Sequence, residues 1–109
     1  MAGQRKRVEA ILAAVAKHFE VTVRELVDHD GRPSRNATLT LTRALAAFYL
    51  RREIEGISYP EIARVLRLAS HTSAMRACAR GTAWRSGTVA AKVNALEVSV
   101  VQALVRLDN

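Results

Sequence analysis

The sequence predicts an all-α fold, a compact bundle of five to six helices containing a helix-turn-helix, on three observations. Half of the 109 residues are apolar, yet only Phe19, Phe48, Tyr49, Tyr59 and Trp84 are aromatic, so Ala, Val and Leu must build the core. Apolar residues recur at intervals of three and four in successive stretches, the period of helices with one buried face. Five glycines and two prolines leave too little turn chemistry for a many-stranded sheet. A chain of this length can hold one core without a structural metal, so residues 1–109 read as a single domain.

Met1 to Arg7 is polar and basic and reads as a frayed, flexible end, with Arg5, Lys6 and Arg7 able to touch a DNA backbone. Val8 to Phe19 reads as the first helix, because Val8, Ile11, Leu12, Val15 and Phe19 form one apolar stripe. Thr22 followed by Glu25 is a capping box that opens a short second helix. Its Val23, Leu26 and Val27 are expected to close over the end of the first. Asp28 to Asn36 has the Asp, Gly, Pro, Ser and Asn cluster of a loop, and its Arg32 and Arg35 read as phosphate contacts. A third, central helix is expected from Thr38 to Glu53 on Leu41, Leu45, Phe48 and Tyr49, with Gly56 supplying the left-handed turn that ends it.

Ser58 to Arg80 reads as two short helices joined by a tight turn. Ser58 is the expected N-cap, Pro60 sits in the first turn where its missing N–H is harmless, and Glu61 completes a second capping box. Ile62, Ala63, Val65 and Leu66 give this helix its buried face, and it stops near Arg67 and Leu68. Ser70 caps the next helix, which turns Ala74, Ala77 and Cys78 inward and Thr72, Ser73, Arg76 and Arg80 outward, with His71 at the edge. Two helices so joined form a helix-turn-helix, whose second helix enters the major groove of DNA. Gly81 and the stretch to Thr88 read as a break near Trp84, with the tryptophan covering the bundle end. The last helix, Val89 to Leu107, carries Val89, Val93, Leu96, Val100, Leu104 and Leu107 on one row. A second row of Val98, Val101 and Val105 reads either as core or as the surface of a homodimer or protein partner.

The net charge is +7, and residues 32–85 hold all of it, with ten arginines against three glutamates. The excess therefore coincides with the helix-turn-helix, as a phosphate-facing surface requires. Arg32, Arg35, Arg43, Arg51, Arg64 and Arg67 are the expected phosphate contacts. Ser70, His71, Thr72, Ser73, Arg76 and Arg80 are expected on the DNA-reading face. Arginine suits both tasks better than lysine, because its planar fork matches phosphate and guanine bidentately.

Other classes of function find little support. His18, His29 and His71 lie on different elements without the ligand spacing of a metal site. The lone Cys78 excludes an internal disulfide, fits a reducing compartment and reads as a small core residue. No apolar run approaches the length of about 18 residues that spans a bilayer, and no signal-peptide core follows the basic start. No nucleophile–base set, paired carboxylates or phosphate-cradling Gly-Lys loop stands out, so no cofactor and no enzymatic activity are expected. The expectation is a cytoplasmic, nucleoid-associated protein whose partner is double-stranded DNA.

From about Ile11 to Cys78 the chain resembles the C-terminal DNA-binding domain of the bacterial replication initiator DnaA. The residues that carry the resemblance are ILAAVAKHFEVTVRELVDHD, AFYLRREIEGIS and YPEIARVLRLASHTSAMRAC. That family usually reads S-L-P-E-I-G-x-x-F-G-G-R-D-H-T-T-V-x-H-A-C over the last piece. Here Ser58, Pro60, Glu61, Ile62, His71, Thr72, Ala77 and Cys78 stand at the same spacing, with Ser73 for the second threonine. The resemblance implies a Trp-repressor-like helix-turn-helix that binds duplex DNA in replication control or transcription. It departs from the family at the turn, where G-G-R-D is Arg67-Leu68-Ala69-Ser70, and at Ala44, which stands for the arginine of the family's Arg-Gln pair in the middle helix. Arg76 replaces the family's histidine. Each lost base contact costs about 1–3 kcal/mol of discrimination, so specificity is expected to differ from that of the family. A protein-interaction module on the same fold that has lost sequence-specific DNA reading, binding a replication or regulatory partner through the last helix (residues 89–107) or through the former DNA face, is the competing expectation.

Overall fold

The computed structural model describes residues 2–27, 37–85 and 90–108. Six helices follow one another: α1 Ala2–His18, α2 Val23–Val27, α3 Ala37–Glu53, α4 Tyr59–Leu66, α5 His71–Arg85 and α6 Ala90–Asp108. Every described regular element is helical, as expected. The radius of gyration, 12.7 Å, matches the value of about 13 Å for one compact domain of this length. None of the described helices is long and apolar enough to cross a membrane.

The first helix starts earlier than the apolar stripe indicates. α1 begins at Ala2, where an Arg5–Glu9 ion pair of 3.5 Å spans one turn and Gln4 Nε2 donates to the Glu55 carbonyl at 3.4 Å. Once residues 8–18 are helical, each further residue adds a bond without a new nucleation cost. α1 buries Ile11, Leu12, Val15 and Ala16, then closes with Glu20 at a φ of 57°. The Val21 N–H donates to the Ala16 carbonyl at 2.9 Å and the Glu20 N–H to the Lys17 carbonyl at 3.2 Å, satisfying the last carbonyls.

The Thr22 box forms as predicted: the Glu25 N–H donates to Thr22 Oγ1 at 3.0 Å, and the Thr22 N–H donates to Glu25 Oε1 at 3.1 Å. Leu26 is fully buried, whereas Val23, expected over the end of α1, faces solvent. α3 is the axis of the molecule. It buries Thr42, Arg43, Ala44, Leu45, Ala46, Ala47, Tyr49 and Leu50 on nearly all sides, a wider surface than the predicted stripe. A helix enclosed all round is a core helix, and α1, α2, α4 and α5 pack around this one. Gly56, at a φ of 77°, ends the segment as expected.

α5 differs most from expectation. It runs through Gly81 to Arg85 with no break, and Gly81 is buried. A Cβ on Gly81 would lie 2.6 Å from the Ala44 carbonyl oxygen and 2.8 Å from Phe48 Cβ. The glycine thus serves close helix approach, not a turn, and α5 packs tightly along α3 because of it. Trp84 is half-buried. On α6, Leu96, Val100 and Leu104 are buried, but Val98, Val101, Val105 and Leu107 are exposed. The second valine row is therefore surface, since α6 rests mainly on α1 and offers the core one face only. The side chains of Val89 and Val93 lie outside the described residues.

Candidate nucleic-acid interface

Local chemistry fixes the start, turn and restart of the two-helix unit. Ser58 Oγ accepts from the Glu61 N–H at 3.2 Å while Glu61 Oε1 accepts from the Ser58 N–H at 3.3 Å, with Pro60 in the first turn. Ile62, Ala63 and Leu66 anchor α4 in the core. Arg67 then adopts the left-handed conformation, φ 54° and ψ 41°, and the Leu68 N–H donates to the Ala63 carbonyl at 2.8 Å. Ser70 Oγ accepts from the Ser73 N–H at 3.3 Å and opens α5.

Burial distinguishes an inner from an outer side of α5. Ala74, Cys78 and Gly81 face inward, and Ala77 is half-buried. Thr72, Met75, Arg76, Ala79 and Arg80 are exposed on the opposite side. Of the expected reading residues, Thr72, Arg76 and Arg80 share this open face, while His71 and Ser70 lie exposed at its edge. Ser73 is half-buried and engaged in the cap. Arg64 on α4 and Arg67 in the turn are exposed beside it. Met75 and Ala79 were not among the residues the sequence singled out. A helical wheel places both within one turn of Thr72 and Arg76, so the signal was present.

Arg43 is a correction. The sequence put it among the phosphate contacts, but it is only 8% exposed. Its Nε donates to the Leu26 carbonyl at 3.1 Å and its Nη2 to the Glu25 carbonyl at 2.9 Å. These are carbonyls at the C-terminal end of α2, which have no partner within so short a helix. Burial lowers the pKa of Arg43, though an arginine stays charged at neutral pH. Its role is to pin α2 to α3. Arg51 is also occupied: its Nη1 donates to the Ile57 carbonyl, and its guanidinium lies 4.4 Å from the Tyr59 ring centroid. Arg52 bridges Glu53 and Glu97 and stacks on Tyr49 and Phe48. Burial works against its charge, but the hydrogen bonds to Glu97 and Glu53 prevail and hold its pKa up. Arg32 and Arg35 lie outside the described residues.

Between the end of α3, the start of α4 and one edge of α5 lies an open groove of about 400 Å³, lined by Phe48, Arg51, Tyr59, Met75 and Ala79 among others. Cys78 sits at its floor, 8% exposed, with Sγ donating to the Ala47 carbonyl at 3.5 Å. Burial raises the pKa of this thiol, against a smaller opposing effect of Arg51. It is a packing residue, as the sequence suggested. Ala44 is buried beneath Gly81, so the position of the family's arginine is sealed by α5. Ala69 is exposed in the turn but offers no polar atom beyond its backbone.

A search of curated proteins found no match to this chain. The family model for the bacterial DnaA protein helix-turn-helix matches residues 8–80, about two thirds of the sequence. That span runs from Val8 of α1 to Arg80 of α5 and includes every cap described above. The chain belongs to the bacterial DnaA helix-turn-helix family.

Proposed function

We propose that the protein binds duplex DNA, with α5 as the recognition helix in the major groove and Arg64 and Arg67 on the flanking phosphates. The observation that supports this most directly is the open face of α5. His71, Thr72, Arg76 and Arg80 stand exposed on one helix while the opposite side is locked into the core. Thr72 has the methyl and hydroxyl to meet a base edge, and Arg76 has the fork to meet guanine or phosphate. The role is one in replication control or transcription, in the bacterial cytoplasm at the nucleoid, without enzymatic activity. With Ala44 buried and Ala69 lacking a donor, the sequence preference differs from that of family members that carry arginines there.

Fluorescence anisotropy with a random-sequence duplex over a salt series tests this. Binding at low salt that weakens linearly on log–log axes is expected, and no binding at low salt rules the proposal out. A second reading has its own observation, the exposed row Val98, Val101 and Val105 on α6, which suits a protein partner or a second copy. Val101→Glu would abolish such an association and leave DNA binding unchanged.

A further inference from the structure

Large exposed apolar side chains among the described residues are Val23 on α2, four residues on α6, and Met75. Met75 is the only one of them in the helix-turn-helix, and it is 47% exposed. One exposed methionine is unremarkable by itself. Its position makes it informative. It lies in the second turn of α5, three residues after Thr72 and one before Arg76, in the N-terminal part of a recognition helix that reaches base edges.

Its surroundings also leave its outer side open. One flank is the groove whose far wall carries Phe48 and Tyr59, the latter held under the Arg51 guanidinium. One turn further along α5 stands Ala79, exposed and small, so no bulky neighbour on that side keeps a duplex away. A flexible thioether can adapt to an apolar feature that approaches it, and the polarisable sulfur favours close contact. The major groove offers one apolar feature in its floor, the C5-methyl group of thymine.

We infer that Met75 is a specificity-determining residue that packs its side chain on a thymine C5-methyl in the major groove. This rests on the DNA-binding reading and assigns it a base preference at one position. The site preferred by the wild type therefore contains a thymine, or 5-methylcytosine in its stead, opposite Met75. Removing that methyl costs about fourfold in affinity, the equivalent of one buried methylene of about 0.8 kcal/mol.

The test is a cycle between protein and base. A duplex selected from a random pool is scanned with single thymine-to-uracil changes, which delete the methyl and nothing else. Wild type should lose about fourfold at one position; Met75→Ala should lose less than twofold there; Met75→Leu should restore the sensitivity. Thermal melts confirm that both variants are folded, as expected for an exposed side chain. Equal uracil sensitivity of wild type and Met75→Ala at every position overturns the inference while leaving DNA binding intact. A preferred site without thymine does the same. Failure of the wild type to bind any duplex at low salt overturns the DNA-binding reading and this inference together.

Discussion

Two arginines of the same basic segment have opposite fates, and neighbours distant in sequence decide which. Arg43 lies in an apolar run that reads as a helix, and nothing local tells whether its side chain escapes to solvent. The carbonyls that hold it belong to Glu25 and Leu26, on a different helix. Arg43→Met keeps the apolar stem but removes the donors to the Leu26 and Glu25 carbonyls, one of these bonds buried and one part-buried, so it should cost about 1–3 kcal/mol of stability in a denaturant titration. Arg67 is the converse. It is exposed, yet its backbone is left-handed at a position where the family carries glycine. Such a conformation strains a side-chain-bearing residue by roughly 1 kcal/mol. Arg67→Gly should therefore hold or raise the unfolding midpoint while weakening DNA binding, and the β-branched Arg67→Val should lower both.

The starts of α2, α4 and α5 were legible because each is written in residues three apart in the chain. Thr22 with Glu25, Ser58 with Glu61, and Ser70 form the caps their spacing foretold. The end of α5 was not legible. A glycine inside a helical pattern reads as a stop, and only the approach of α3 reveals Gly81 as a contact. Gly81→Ala sets a propensity gain of up to about 1 kcal/mol against an overlap with the Ala44 carbonyl that no rotamer relieves. The overlap should win, lowering the thermal midpoint, whereas the same change at Gly56 meets no neighbouring atom and is penalised only by its positive φ. α6 shows what periodicity leaves open. Two valine-rich rows look alike in sequence, and only the placement of α1 decides that Val100 is core and Val101 is surface.

At the scale of the molecule, the concentration of charge in residues 32–85 was plain from the sequence, but the number of cations available to DNA was not. Arg43 is held by α2, Arg51 by the Ile57 carbonyl and Tyr59, and Arg52 by two glutamates. Arg64, Arg67, Arg76 and Arg80 are the arginines of the helix-turn-helix, and all four are exposed. Each phosphate neutralised contributes about −0.9 to the slope of log affinity against log salt, so these four alone would give a slope of about −3 to −4. Contacts from Arg32 and Arg35 would steepen it to about −5. Arg64→Ala should flatten the slope by roughly one unit, because it removes one counterion-releasing contact. Arg43→Met removes the same formal charge, and in the fraction that stays folded the slope should be unchanged. A net-charge effect would move both variants alike; a contact effect moves only the first. An equal flattening by the two would mean that overall charge, not the surface around α5, drives binding.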